Sequence, residues 1–380
     1  MLQNRTLKTL ALLTIAGTTQ AQSFQNGGPI VNSPTRTAAG QFISETSLFD
    51  TMNFLATTGT LTIVTNNAQQ QIEVEVGPAS GEVRVFGVDS IPDGMVFTDV
   101  TAISLTTGFA QDFVEFRFFA ELNPSVSLNT GAGNSDTIFR YFTPATLIPV
   151  TSDVTVRGGA GQDKAFFEVI SEADSFAANW NVIHGNGNNE TVASVNSASP
   201  SSALAISLYS TSGTGQDKLD AQILSGAAAV DIDFGGVMGS GNDAAIVSID
   251  EQNPGATTLA LSLDLGAGFD VAEALAVTRG GTADFVGSIL GGDGADSLKT
   301  LLEGAGSTSL TLSGGAGADN IDSEYKGNVA GSPQLLGGTG NDLLKIVADQ
   351  PEILNPFIDG GPGFDIAIGF GTFVNVEQIN

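Results

Sequence analysis

The chain reads GGAGAD at Gly314–Asp319, GGTGND at Gly337–Asp342 and GGPGFD at Gly360–Asp365, so that one copy follows another every 23 residues. The same hexapeptide pattern occurs at Gly158–Asp163 and Gly291–Asp296. Looser copies end at Asp217, Asp243 and Asp270, and two copies with an inserted residue end at Asp136 and Glu190. The terminal acids recur at intervals of 23 to 27 residues. A period of this kind predicts a repeat architecture in which each unit stacks on its neighbours.

Apolar and polar residues alternate on both sides of these turns, for example in Leu259–Leu265 and Ile366–Ile368. Alternation with a period of two is typical of β-strands, and helical periodicity is hard to find after residue 60. We therefore predict an all-β fold, a right-handed parallel β-helix or solenoid of about 10–12 coils with 23–27 residues each. Val, Leu, Ile, Ala and Phe would form the inward ladders, and each coil has room for a third strand and a loop.

The N-terminal segment Met1–Ala21 has the features of a secretory signal peptide. Arg5 and Lys8 precede the apolar run Leu10–Gly17, and Thr-Gln-Ala21 is a suitable cleavage site. The run is too short to span a bilayer, and the alternative is a short helix of the mature protein. We expect the mature chain to be secreted, either extracellular or at the cell surface.

Three further segments follow the expected signal peptide. Residues 22–57 are predicted to form a linker and an N-terminal cap, with a short amphipathic helix at Ser44–Leu55 over the first open sheet edge. Residues 58–127 are interpreted as degenerate first coils, because terminal repeats are commonly atypical. Residues 128–380 form the Gly/Asp-repeat solenoid.

Composition excludes several classes of function. The 380 residues include 41 acidic and 13 basic side chains, giving a net charge of −28, so nucleic acid is not an expected partner. The chain has no Cys and one His, which excludes thiol chemistry and multi-histidine zinc sites. An apolar content of 41% supports a folded core, and no later segment is apolar for long enough to predict a membrane span.

The hexapeptide followed by an apolar residue is similar to the haemolysin-type (RTX) repeat, G-G-x-G-x-D-x-U-x, which binds calcium within a parallel β-roll. The resemblance covers about residues 128–380 and lies in the turn, since family members repeat every nine residues. It implies several Ca²⁺ ions between successive turns, with backbone carbonyls and carboxylates as ligands. The carboxylates implied are those of Asp163, Asp217, Asp243, Asp270, Asp296, Asp319, Asp342 and Asp365. Asp136 and Glu190 depart from the family's pattern by the inserted residue.

The residues themselves leave two interpretations of the acidic position. Calcium prefers hard oxygen ligands, and glycines that adopt positive φ can direct carbonyls toward one point. Alternatively, each Asp only accepts hydrogen bonds from turn amides, a role that Asn would also fill. The terminal position holds nine Asp, one Glu and no Asn. Carboxylates about 5 Å apart also repel by ~1 kcal/mol in water and ~3 kcal/mol at an effective dielectric near 20, which favours a cation.

The expected function is non-catalytic: a calcium-stabilised extracellular or cell-surface structural or adhesive module, with extracellular polysaccharide or other surface proteins as expected partners. The alternative is a carbohydrate-active β-helix enzyme, a polysaccharide lyase or hydrolase. Asp231 and Asp233 alternate on one strand as paired carboxylates of a glycosidase would, but two solvent-facing acids are the favoured interpretation. His184 is expected at the surface edge of a turn. Trp180 and the three Tyr predict no aromatic platform for sugars, and no catalytic residue is assigned.

Overall fold

The computed structural model describes residues 51–380, apart from 56–58, 66–69, 78–80, 89–93, 120–122, 146–148, 199–202, 254 and 280. The expected signal peptide and the predicted linker up to residue 50 lie outside the described residues. In the described part no helix is long and apolar enough to cross a membrane.

The described residues form 29 β-strands and one 3₁₀ helix, Pro351–Ile353. In chain order the strands are β1 (Thr51–Leu55), β2 (Thr60–Val64), β3 (Gln71–Val76), β4 (Val83–Phe86), β5 (Met95–Phe97), β6 (Ala102–Thr106), β7 (Asp112–Phe118), β8 (Ser125–Asn129), β9 (Ser135–Thr143), β10 (Val150–Arg157), β11 (Asp163–Ser171), β12 (Ser175–Ile183), β13 (Glu190–Ser197), β14 (Ala203–Thr211), β15 (Lys218–Ser225), β16 (Ala229–Val237), β17 (Ala244–Glu251), β18 (Ala256–Asp264), β19 (Ala267–Gly268), β20 (Val271–Thr278), β21 (Thr282–Gly294), β22 (Ser297–Gly317), β23 (Asn320–Gly331), β24 (Gln334–Gly340), β25 (Leu343–Ala348), β26 (Phe357–Asp359), β27 (Ile366–Ile368), β28 (Thr372–Val374) and β29 (Gln378–Ile379).

Backbone pairing arranges these strands in two parallel ladders, which together make a parallel β-solenoid of about ten turns and confirm the predicted fold class. Sheet 1 consists of β2, β6, β8, β10, β12, β14, β16, β18, β21, the C-terminal half of β22, β24, β26 and β28. Sheet 2 consists of β3, β7, β9, β11, β13, β15, β17, β20, the N-terminal half of β22, β23, β25, β27 and β29.

From β6 onward each coil contains two long strands and two turns, and in the described residues of these coils the third long strand that the sequence allowed does not form. In one coil, β11 is followed by residues 172–174, by β12 and then by the hexapeptide turn at residues 184–189. Strands of eight or nine residues use the length that a third strand would need. In the 23-residue coils β22 and β23 continue around the corner opposite the hexapeptide turn.

The first edge of the solenoid is covered by a strand and not by a helix. β1 pairs antiparallel with β2, so the helix predicted at Ser44–Leu55 is wrong for Thr51–Leu55, and the rest of that segment lies outside the described residues. A strand satisfies the backbone donors and acceptors of an open edge directly, which a helix cannot do. Between β3 and β6 the chain also forms antiparallel β4 and β5.

Inward-facing side chains of the two sheets form one core. Its aromatic part is a stack of Phe116, Phe139 and Phe167 from sheet 2 and Trp180 from sheet 1, with ring centroids 5.1, 5.0 and 4.4 Å apart. All four side chains are fully buried. Strand pairing brings the three Phe residues of consecutive coils to the same register, so the stack follows from the repeat period.

We predict that Phe167→Ala lowers the free energy of unfolding by about 3–5 kcal/mol, because it opens a cavity in this stack. Phe166→Ala is the matched control: it removes the same side chain from the next residue of β11, which faces outward and is only half-buried. Denaturant unfolding followed by Trp180 fluorescence measures both. Equal losses for the two variants would contradict the assigned strand register.

Candidate functional site

Each coil passes from sheet 1 to sheet 2 through a Gly turn, the six-residue turn that contains the hexapeptide. The last residue of every Gly turn directs its side chain into the solenoid, where it is between 0% and 3% exposed. We call these the rung residues; they are Asp112, Ser135, Asp163, Asn189, Asp217, Asp243, Asp270, Asp296, Asp319, Asp342 and Asp365.

A continuous column of hydrogen bonds joins the rung residues from Ser135 to the C-terminal coils. In each step Oδ1 of one rung side chain accepts the backbone N–H of the rung residue in the preceding coil, over N···O distances of 2.7–3.2 Å. The column ends where Oε2 of Glu377 accepts the N–H of Asp365 at 2.7 Å. Buried backbone donors of successive turns are thereby satisfied by side-chain oxygens.

Close backbone approach explains the glycines of the turn. A Cβ atom on Gly340, the fourth residue of its turn, would lie 1.4 Å from the carbonyl oxygen of Gly317 in the preceding coil. A Cβ atom on Gly314, the first residue of its turn, would lie 2.3 Å from Oδ2 of its own rung residue, Asp319. The hexapeptide therefore keeps Gly where coils touch and where the rung carboxylate folds back under its turn.

The second carboxylate oxygen of the rung residues has no partner. Oδ2 is buried and makes no hydrogen bond with the described residues in Asp112, Asp163, Asp217, Asp243, Asp270, Asp296, Asp319, Asp342 and Asp365. An unpartnered buried carboxylate oxygen is costly unless a proton or a cation neutralises it. The same atom lacks a partner in coil after coil, so the unpartnered Oδ2 is a property of the repeat.

The Asn189 rung shows which oxygens lie within reach of a rung side chain. Its Nδ2 donates to the carbonyls of Gly185 and Gly187, both at 3.1 Å, and to Oδ1 of Asp217 at 2.9 Å. Equivalent turn carbonyls and a following carboxylate recur in later coils, where the rung residue is Asp and brings no donor. In an acidic coil the rung side chain is therefore surrounded by oxygens, carries a negative charge and has no hydrogen-bond donor of its own. These surroundings fit a hard cation such as Ca²⁺.

Burial raises the pKa of eight rung carboxyls, because it disfavours the charged form. The pKa of Asp243 is raised to about 7, and the carboxylates of Asp217 and Asp270 push it in the same direction. The pKa values of Asp163, Asp270 and Asp319 are each raised to about 6, mainly by burial. The pKa values of Asp112, Asp217, Asp296 and Asp342 are raised by the same cause. Near neutral pH the negative charge on the metal-free column therefore lowers the stability of the folded state.

All eight carboxylates that the resemblance implied as ligands are rung residues, and the fold brings them into one column. Asp136 and Glu190 lie outside it: Asp136 is exposed, and Glu190 contacts Lys164 and Lys218 at 3.3 Å on the outer face of sheet 2. In these two coils the residue just before the acid, Ser135 or Asn189, is the buried rung residue. The prediction that no Asn occupies this position is therefore wrong, because the glycines, and not the acid that follows, keep the register of these two turns.

Besides Ser135 and Asn189, two further residues take part in bonds of this kind and were not predicted as site residues. Oδ1 of Asp112 accepts the N–H of Gln70 at 3.0 Å, so the same bond recurs in the degenerate coils, although the N–H of Asp112 itself donates to the carbonyl of Asn134 and not to Ser135. Its signal was the spacing of Thr107–Asp112 from the later copies. Glu377 carries no hexapeptide, and no sequence signal identifies it.

The carboxylates of the column are spread along the stack, one to a coil. No three Asp, Glu or His side chains of the described residues converge closely enough to hold a metal by themselves. An ion between two rungs would have two carboxylates at most, and turn carbonyls would supply its remaining ligands.

The structure also places the two groups whose catalytic role was weighed from the sequence. His184 is buried and not at the surface as expected; its Nε2 contacts Oγ1 of Thr191 at 2.9 Å, and burial lowers its pKa to about 4. Asp231 and Asp233 are both exposed on the outer face of sheet 1, as two solvent-facing acids would be.

Comparisons of the chain with protein-family models, with curated proteins and with solved structures find no match. The resemblance to haemolysin-type repeats therefore rests on the hexapeptide and its place in a parallel solenoid.

We predict that the chelator-treated protein loses stability as the pH rises from about 4 to about 7. Asp163, Asp243, Asp270 and Asp319 have pKa values raised to about 6 or 7 in the folded state, so the folded protein binds more protons than the unfolded chain throughout that window. Thermal melting at pH 4.5, 6 and 8 with EDTA measures the effect.

General charge repulsion would act in the same direction, so two variants with equal net charge separate the causes. Asp243→Asn should melt higher than the parent at pH 8, and Asp231→Asn, on the exposed face, should melt as the parent does. Equal behaviour of the two variants would contradict a role for the column.

Proposed function

We propose that the chain is a secreted, calcium-stabilised β-solenoid that acts as an extracellular or cell-surface structural or adhesive module. The observation that supports this proposal most is the column of buried rung carboxylates whose Oδ2 atoms have no partner. Because each acidic coil contains a buried carboxylate without a partner, a cation bound beside it would stabilise the fold.

The carboxylates proposed as ligands are those of Asp163, Asp217, Asp243, Asp270, Asp296, Asp319, Asp342 and Asp365, together with carbonyls of their own Gly turns. Asn189 continues the hydrogen-bonded column but interrupts the run of acidic rungs, since its amide supplies hydrogen-bond donors where the acidic rungs have none. We therefore propose that Asp163 binds calcium independently of the consecutive acidic rung residues, the first of which is Asp217 and the last Asp365. When bound, calcium would supply the charge that neutralises adjacent carboxylates.

The role proposed for the column is structural and not catalytic. Rung side chains are at most 3% exposed, so a substrate could not reach their carboxylates without opening the coils. Bound ions would instead act by mass action on the folded state, because the unfolded chain does not hold the turns together. The solenoid faces remain available for partners.

Secretion is the other part of the proposal and rests on the sequence features of Met1–Ala21. Outside the cell, calcium is present near the millimolar range in which weak extracellular modules bind it. A module exported in a less stable, metal-free form would gain stability on arrival.

We predict that Ca²⁺ at millimolar concentration raises the melting temperature at pH 8, whereas Mg²⁺ does so much less, because its small octahedral shell suits a carbonyl-lined turn poorly. At a free concentration 100 times Kd the gain is about 2.7 kcal/mol for one site. Differential scanning calorimetry and isothermal titration calorimetry measure the shift and the heat.

The matched variants carry equal charge changes. Asp270→Asn/Asp319→Asn should bind fewer ions and show a smaller shift, whereas Asp231→Asn/Asp233→Asn, on the exposed face, should match the parent. Absence of both heat and melting shift at millimolar Ca²⁺ would refute the calcium part of the proposal.

A further inference from the structure

The outer face of sheet 1 contains a groove of about 540 Å³ that crosses several coils. We call it the sheet-1 groove. One row of its lining consists of Ser104, Ser127, Thr155, Asn181 and Tyr209, which strand pairing places at the same register on β6, β8, β10, β12 and β14. The row therefore runs along the solenoid axis, with a hydroxyl or amide in four steps and an aromatic ring in the fifth.

Tyr209 has a flat seat at the end of this row. It pairs with Gly235 on β16, and a Cβ atom on Gly235 would lie 2.4 Å from Cδ2 of the Tyr209 ring. The ring thus packs against the backbone of the neighbouring strand and is still 44% exposed. A Tyr side chain held in this way offers a rigid apolar surface with a polar tip. No aromatic platform was predicted from the sequence, because Gly235 lies one coil away from Tyr209 along the chain.

The charges of the two outer faces differ. Sheet 2 carries paired ions, among them Arg117 with Glu73 at 2.6 Å and Lys345 with Asp322 at 2.8 Å. The side chains that face the sheet-1 groove include one charged group, Asp153, among Ser, Thr, Asn, Ala and the ring of Tyr209, whereas Trp180 and the Val and Ile residues of the lining point their side chains into the core. A cationic partner would find one counter-charge there, and an anionic partner would meet Asp153 and a chain of net charge −28.

We propose that the sheet-1 groove binds an uncharged oligosaccharide that lies along the solenoid axis, with one sugar ring against Tyr209. Hydroxyl and amide groups both donate and accept hydrogen bonds, which matches the hydroxyls of a neutral sugar chain. An aromatic platform beside a few polar groups is the usual composition of a small-molecule site. Thr155 and Asn181 are the polar residues nearest Tyr209 along the row. This binding is independent of whether the column holds calcium.

The test uses the full chain and a panel of neutral hexasaccharides of the glucan, mannan and N-acetylchito-oligosaccharide classes, with oligouronate and oligolysine for comparison. Isothermal titration calorimetry is performed both with Ca²⁺ and with EDTA, so that failure of the calcium proposal is separable from failure of this one. We expect at least one neutral class to bind, and the oligouronate to give no heat.

Three variants test the assigned site. Tyr209→Ala should weaken binding about tenfold or more, as truncation of a central aromatic contact does, and Tyr209→Phe should stay within about threefold because it keeps the platform. Phe269→Ala is the matched control, since Phe269 is 65% exposed on a Gly turn away from the groove. Unchanged binding by Tyr209→Ala would overturn the proposal, as would a chain that binds no neutral hexasaccharide at millimolar concentration or binds oligolysine alone.

Discussion

The Gly turns from Ser135 onward depend on one interaction, the hydrogen bond from a rung backbone N–H to Oδ1 of the rung side chain in the next coil. From Ser135 to Asp365 the N···O distances are 2.7–3.2 Å, and Glu377 continues the pattern at the last turn. The bond requires a short side chain with an acceptor at the end of the turn, which explains why Asp and Asn occur there, whereas Oγ of Ser135 accepts no such bond. It also requires coils close enough that Gly340 has no room for a Cβ atom.

The same arrangement creates the electrostatic problem that leads to our functional proposal. Using Oδ1 for the backbone leaves Oδ2 buried, and consecutive acidic rungs from Asp217 to Asp365 place such atoms in adjacent coils. Burial raises the pKa of Asp243 to about 7, so either protons or cations must balance the column near neutral pH. In the Asn189 rung an amide meets this need by itself. Calcium is the cation that fits oxygen ligands and an extracellular setting.

Much of the fold was predictable from the sequence, because the Gly turns recur at a nearly constant period and alternating strands flank them. That period also identified eight acidic rung residues before their burial was known. Asn189 and Ser135 were misplaced because the copies were aligned on the following acid, although Gly185 and Gly187 keep the spacing of the other turns. Three features depend on which strands lie side by side: the number of strands per coil, the burial of His184 and the packing of Tyr209 on Gly235. No local sequence pattern indicates that pairing.

The protonation state of the rung carboxyls is the most direct test of this account. Carbon-13 NMR of protein labelled at the Asp carboxyl carbon, titrated from pH 3 to pH 9 with and without Ca²⁺, reports it for each group. We expect a set of Asp resonances to titrate two to three units above the ordinary value near 3.8 in EDTA, and to remain ionised to lower pH when Ca²⁺ is present. Titration of all Asp carboxyls near 3.8, unchanged by Ca²⁺, would contradict the account.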